Sequence, residues 1–168
     1  MTPRVVLVGA PGAGKTTIGR QLARRLGVEF RDTDSDIETA MGMPITDIFV
    51  SLGEPAFRHQ ERISVAEALA EHSGVLSLGG GAVLDSATRA LLQGHTVVWL
   101  DVDLTNAAAR VGMNTSRPLL LGNVRSTLKT LLEDRAPLYA EVASVKFATG
   151  ETTPSSVVDR IVEWLENA

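Results

Sequence analysis

Five short runs rich in β-branched and aliphatic residues punctuate the chain, at residues 4–8, 29–32, 75–78, 96–101 and 145–148. Each has the length and composition of a buried strand, and the stretches between them repeat their apolar residues with a helical period. Ile18, Leu22 and Leu26 recur at four-residue spacing and stop at Gly27. Val157, Val158, Ile161, Val162 and Leu165 follow Thr153, a predicted cap, and Pro154, a residue suited to a first helical position. Strands separated by whole helices predict an α/β protein with a parallel sheet and helices on both faces. Two stretches break the rhythm. About forty residues, 34–73, lie between the second and third strands, roughly twice what a crossover helix needs, and are expected to form a substrate-binding insertion. Residues 112–123, bounded by Gly112, Pro118 and Gly122, predict a loop or lid. With no internal repeat and no linker, residues 1–168 are expected to form one domain.

Composition narrows the function classes. The 168 residues are 44% hydrophobic and 21% charged, an ordinary globular balance that excludes disordered and fibrous classes. Lys plus Arg number 16 and Asp plus Glu 20, a net charge of −4, so neither nucleic acid nor an anionic membrane is expected as a partner. The chain has no cysteine, which removes disulfides, thiolate metal sites and thiol nucleophiles and suits a cytoplasmic protein. His59, His72 and His95 are too scattered to suggest a metal site. No apolar run approaches the ~18 residues of a membrane span, and no leader peptide is apparent, so a cytoplasmic monomer is expected.

The strongest chemical signal is Gly9-Ala10-Pro11-Gly12-Ala13-Gly14-Lys15-Thr16. It follows a buried-strand pattern and opens a helix, which is the context of a phosphate-binding P-loop. Glycines let successive N–H groups turn toward phosphates, the helix N-terminus adds positive potential, and Lys15 supplies a point charge. Gly12, Ala13, Gly14, Lys15, Thr16 and Thr17 are therefore the expected nucleotide-binding residues, with the Thr16 hydroxyl a ligand for Mg2+. A guanine-recognition motif needs a suitably placed lysine, and the only others, Lys129 and Lys146, stand in the wrong contexts. Asp101 ends an apolar strand as an ATPase carboxylate would, but it is read as the residue leading into the next helix.

Asp32-Thr33-Asp34 falls at the carboxyl end of the second strand, the edge at which doubly wound sheets bind ligands. Asp32 could anchor Mg2+ and Asp34 orient a hydroxyl, or Asp34 could cap the helix that follows. Gly79, Gly80 and Gly81 after the third strand make either a tight turn or a bare backbone that a ligand can approach.

Taken in order, these blocks resemble the shikimate kinases along nearly the whole chain. The likeness rests on the P-loop 9–17, on Asp32-Thr33-Asp34 with Ile37 and Gly42, and on Ile48-Phe49. It extends through Gly53-Glu54-Pro55-Ala56-Phe57-Arg58-His59-Gln60-Glu61, Leu78-Gly79-Gly80-Gly81-Ala82-Val83, Arg117-Pro118-Leu119-Leu120 and Arg135-Ala136-Pro137-Leu138-Tyr139. The resemblance implies a five-stranded P-loop kinase fold akin to the nucleoside monophosphate kinases. It implies ATP-dependent phosphorylation of the shikimate 3-hydroxyl, a step toward chorismate and the aromatic amino acids. It further implies that Asp34 contacts the acceptor hydroxyls and that Arg58 and Arg135 grip the carboxylate beside Gly79, Gly80 and Gly81. On the same likeness Arg117 reaches the transferring phosphoryl group from the lid, and Arg110 lies on the adenine side.

A planar guanidinium suits a carboxylate, which supports the two-arginine grip independently. Taken singly, Arg58 reads first as a solvated helix residue paired with Glu61, and Arg135 as a cation near a helix end before Pro137, and only the surrounding blocks reverse that reading. Pro44 stands where the family often has Ser or Thr, so the helix there is expected to begin with Pro at its first position. The loop 149–154 has no Arg and carries Glu151, leaving adenine stacking to Arg110. Gluconate kinases and non-catalytic ATP switches are the rival readings.

Overall fold

A computed structural model describes residues 2–112 and 124–168. Strand β1 (Val5–Val8) leads through the P-loop into helix α1 (Lys15–Leu26), then β2 (Phe30–Asp32). Helices α2 (Thr33–Met41), α3 (Ile45–Ser51) and α4 (Glu54–Glu71) fill the long crossover to β3 (Val75–Ser77). A short 3₁₀ turn (Ala82–Leu84) and α5 (Ser86–Leu92) precede β4 (Val97–Val102). Helices α6 (Leu104–Gly112) and α7 (Val124–Val142), strand β5 (Val145–Thr149) and helix α8 (Pro154–Asn167) complete the described elements. Arg117 and the predicted lid, apart from the backbone of Gly112, lie outside the described residues.

The five strands are all parallel in the order β2-β3-β1-β4-β5. Strand β1 is central and buried along its whole length, as the unbroken Val-Val-Leu-Val run requires of a strand covered on both faces. Edge strand β5 alternates half-buried and exposed positions because only one of its faces is fully covered. The order sets β1 directly beside β3, pairing Val5 with Val75 and Leu7 with Ser77. The loops leaving these strands, one carrying the P-loop and the other the three glycines, therefore emerge side by side at the carboxyl edge.

The main core packs the sheet against α1, α4, α6, α7 and α8, with Leu7, Leu22, Leu76, Leu100, Leu128 and Ile161 fully buried. A second, smaller cluster joins Ile37, Ile45, Ile48 and Phe57 from α2, α3 and α4 and is covered by Met41, Met43 and Phe49. The long crossover is thus three helices with an apolar centre of their own. Among the described residues, no helix is long and apolar enough to cross a membrane.

Several local expectations need correction. Pro44 occupies the cap of α3, in extended conformation, rather than its first helical position. The open Ile45 N–H is satisfied at 2.9 Å by the Glu38 carboxylate of α2, a long-range cap in place of a local hydroxyl. Asp101 does not lead into a helix, because β4 continues through Val102 and the Asp101 carboxylate faces Lys146 at 3.9 Å. The residue at the start of α6 is Asp103, whose carbonyl accepts from the Ala107 N–H. Its carboxylate accepts from the Asn106 side chain at 2.6 Å, which holds the Asp103 carboxyl below its usual range. Helix α7 also does not stop before Pro137; the proline lies inside it, leaving Arg135 in mid-helix.

The predicted ends of α1 and α8 are present. Gly27 closes α1 in the left-handed conformation with its N–H on the Ala23 and Arg24 carbonyls. At α8 the Thr153 hydroxyl accepts from the Ser156 N–H at 3.2 Å. Thr153→Ala should lower unfolding stability by about 1 kcal/mol in urea titration, and an unchanged midpoint would show that this cap contributes nothing.

Asp85 carries a heavier duty, capping α5 through the Thr88 N–H at 2.9 Å and pairing with Arg62 of α4 at 3.0 Å. Partial burial alone would raise its carboxyl, but the bonds from Thr88 and Arg62 outweigh that and hold it below the usual carboxylate range. A depressed native value stabilises the fold above the unfolded pKa of about 3.9, and that contribution vanishes as pH falls through the native value. Asp85→Asn keeps a capping oxygen but loses the charge. It should cost about 1 kcal/mol or less at pH 7, with the gap to the parent protein closing below about pH 4 in parallel unfolding curves.

Candidate active site

The chain between β1 and α1 forms a loop anchored from three directions. Gly14 caps α1 at φ 92°, a left-handed conformation that a side chain would resist, and makes no side-chain cap of its own. The first turn of α1 therefore presents its N–H groups outward. Arg110 of α6 donates to the Gly12 carbonyl at 2.7 Å, and Thr149 at the end of β5 donates to the Ala13 carbonyl at 3.0 Å. A planar trans peptide points its N–H opposite its C=O, so fixing these carbonyls also fixes the directions of the following amides. Lys15 Nζ donates across the loop to the Gly9 and Ala10 carbonyls at 2.6 and 3.1 Å. The sequence alone did not single out Thr149. Its only signal was a hydroxyl at the end of a strand otherwise chosen for packing.

The loop forms one wall of a cleft of about 290 Å³ lined by Gly12, Lys15, Thr16, Asp32, Asp34 and Arg110, among others. Thr17 lines this cleft and a neighbouring cavity of about 190 Å³, which Arg110 shares with Thr149, Thr152 and Pro154. Arg110 thus sits between the phosphate loop and the loop 149–154.

Opposite the P-loop, Asp32 and Asp34 divide their duties differently from the capping alternative. Asp32, not Asp34, caps α2: its Oδ1 accepts from the Asp34 N–H at 2.9 Å. Its Oδ2 lies 3.5 Å from the Thr16 hydroxyl, which donates toward it. Asp34 falls in the first turn of α2 with its carboxylate toward Gly79. Between them Thr33 is fully buried, 3.5 Å from the Ser77 carbonyl and accepting from the Gly79 N–H at 3.3 Å. Thr33 therefore ties the end of β2 to the glycine turn, a role that its sequence context did not reveal.

The glycine turn admits no side chain where the other walls meet it. A Cβ on Gly79 would lie 2.6 Å from Asp34 Oδ1 and 3.0 Å from Glu61 Oε2, and one on Gly81 would overlap the Arg58 guanidinium. Arg58 of α4 does pair with Glu61 at 2.8 Å and with Glu54 at 3.4 Å, but its side chain is only 22% exposed rather than solvated. It also lies over the Phe57 ring at 5.2 Å, and its buried Nε has no hydrogen-bond partner among the described residues. Glu61 is 4% exposed and Arg135 of α7 is 8% exposed.

Burial pushes the Arg135 guanidinium down from its ordinary value, and nearby Arg58 pushes the same way. Tyr139 and Glu61 oppose both effects, and the group remains a cation at physiological pH. Arg58 lies against the bare backbone at Gly81, and Arg135 is a second, desolvated cation near Arg58; guanidiniums are suited to binding small anions.

The geometry is matched by likeness to known proteins. The family model for shikimate kinase matches residues 11–166. Shikimate kinase from Thermobifida fusca is 54% identical over 166 residues, covering 99% of this chain and 96% of that protein. The enzyme of Saccharopolyspora erythraea is 58% identical over 164 residues, covering 97% of this chain and 94% of that protein. A solved structure of shikimate kinase from Acinetobacter baumannii in complex with shikimate superposes with a TM-score of 0.94 at 37% identity, covering 99% of this chain and 94% of that one. With the P-loop, the glycine turn and the parallel sheet order lying within that shared length, this chain belongs to the shikimate kinase family.

Proposed function

We propose that this protein transfers the γ-phosphoryl group of ATP to the 3-hydroxyl of shikimate, giving 3-phosphoshikimate and ADP. The observation that carries the reading is that Asp34, which lines the P-loop cleft, also abuts Gly79 of the bare glycine turn, while the Arg58 guanidinium lies against Gly81 of the same turn. A carboxylate-bearing acceptor gripped by Arg58 and Arg135 would turn a hydroxyl toward Asp34 and the end of the nucleotide. Gly79, Gly80 and Gly81 would supply backbone contacts where no side chain could stand. Gly12, Ala13, Gly14, Lys15, Thr16 and Thr17 hold the triphosphate in this reading, with Arg110 beside the base. Arg117 in the 112–123 lid is the residue assigned to the transferring group. The setting proposed is a cytoplasmic monomer whose partners are ATP and shikimate.

The donor set suits Mg2+. Among the described residues, no group of three or more His, Cys, Asp or Glu could hold a metal by itself. Thr16 Oγ1 and Asp32 Oδ2 are hard oxygen donors 3.5 Å apart at the phosphate side of the cleft. That is the sparse set Mg2+ accepts when phosphates and waters fill the remaining positions. When bound it would neutralise phosphate charge. The chain's own part is positioning and electrostatics, because a loose phosphoryl-transfer transition state asks little of a base. Asp34 orients the acceptor hydroxyl, while Lys15 and the α1 N-terminus meet charge on the phosphates.

Two experiments test the reading. Lys15→Met should lower kcat by at least about a hundredfold in a coupled ADP-release assay. Its melting temperature should hold, because the bonds from Lys15 to the Gly9 and Ala10 carbonyls lie within one loop; near-normal turnover would remove the P-loop assignment. Arg135→Ala and Arg58→Ala should each weaken shikimate binding by about 2–5 kcal/mol, raising the shikimate KM far more than the ATP KM. Asp34→Asn should instead lower kcat more than acceptor binding. Thermal unfolding belongs alongside, since losing Arg58 leaves the buried Glu61 short of a cation. Turnover of a carboxylate-free polyol as fast as shikimate would reject the grip and favour a polyol kinase.

A further inference from the structure

We propose that Tyr139 is a positioning residue for the acceptor, its hydroxyl holding the Arg135 guanidinium and the Gly80–Gly81 peptide in one register. The proposal rests on the carboxylate grip described above and extends it to a residue that does not itself touch the acceptor.

Tyr139 is 1% exposed and is the chain's only tyrosine. Its hydroxyl donates to the Gly80 carbonyl at 2.6 Å in a buried setting. It stands four residues after Arg135 on α7, so both side chains leave the same helix face one turn apart. The Tyr139 hydroxyl opposes the downward push of burial on the Arg135 guanidinium, as a phenol oxygen close to the cation would. A phenol has one proton to give and lone pairs to accept with, so the Tyr139 hydroxyl is able to accept from Arg135 while it donates to the Gly80 carbonyl. A donor next to a cation is polarised and donates more strongly, which fits the short second bond.

Two consequences follow for the acceptor. The Gly80–Gly81 peptide is trans, so holding the Gly80 carbonyl toward α7 turns the Gly81 N–H away from α7. Three successive glycines would otherwise leave that peptide a wide choice of orientations. The grip is also assembled from separate parts, with Arg135 on α7 and the glycines after β3. Tyr139 bridges them, and its ring is set by the sheet through Trp99 of β4, whose ring centroid is 5.7 Å away.

Tyr139→Phe keeps the ring and its contact with Trp99 and removes only the oxygen. The shikimate KM and the directly measured shikimate affinity should each worsen about tenfold, with kcat and the ATP KM within about twofold of the parent. A structural role alone would move stability and both substrates together, and that pattern overturns the proposal. In an Arg135→Ala background, the effect of Tyr139→Phe on shikimate affinity should shrink, whereas full additivity counts against a shared relay. Loss of shikimate affinity in Arg135→Ala but not in Tyr139→Phe overturns the positioning role alone, and no loss in either overturns the carboxylate grip as well.

Because the tyrosine is unique, fluorotyrosine incorporated throughout the intact protein labels only this position. Its fluorine resonance should shift on saturation with shikimate and stay in place with ADP alone. A resonance that ignores shikimate overturns the proposal whether or not the phenylalanine variant folds.

Discussion

The acceptor side proposed for this site depends on a steric constraint at two positions, Gly79 and Gly81. Bare backbone there lets the Asp34 and Glu61 carboxylates reach within about a methyl group's room of Gly79 and lets Arg58 lie against Gly81. Asp34 arrives from α2, Arg58 and Glu61 from α4, and the glycines from the end of β3. A single added methyl group would push these elements apart, and the pocket would lose its charge pattern before it lost its fold. Thr33 and Tyr139 hold the same turn from opposite sides, one through the Gly79 amide and the other through the Gly80 carbonyl. The glycine turn is therefore mobile by composition and fixed by its neighbours.

The nucleotide side follows the same plan with different residues. Glycines allow the P-loop its shape, and contacts from Arg110 and Thr149 select one shape by fixing the Gly12 and Ala13 carbonyls. Both loops place backbone amides, rather than flexible side chains, at the carboxyl edge of the sheet. Preorganised dipoles of this kind need little rearrangement as charge shifts during phosphoryl transfer. The chain is acidic overall, yet Lys15 and Arg110 line the phosphate-side cleft and Arg58 and Arg135 lie near one another. Focused positive charge on an acidic protein favours small anions over polyanions.

Much of the fold was legible because strand and helix periods are local. Each of the five predicted strand segments overlaps a strand of the sheet, β4 and β5 running one residue further than predicted, and the Gly27 and Thr153 helix ends fall where expected. The errors arose where a local rule met a distant partner. Pro44 lies at a cap whose following amide is satisfied by Glu38, and Pro137 sits within a helix that packing sustains despite the missing N–H. Asp101 stays in a strand because β5 continues to pair beside it.

By itself, the sequence determined the alternation of elements, the phosphate loop and the family. Those features are written in short-range spacing and in ordered blocks of residue types. Only the tertiary structure decided how the duties are shared. It set Asp32 rather than Asp34 at the cap, half-buried Arg58 and buried Arg135 where solvated positions were open to both, and joined Thr33, Thr149 and Tyr139 to backbone groups far along the chain. The physical reason is that burial and hydrogen-bond satisfaction belong to pairs of groups remote in sequence. Neither partner carries a sign of the other until the sheet order sets them side by side.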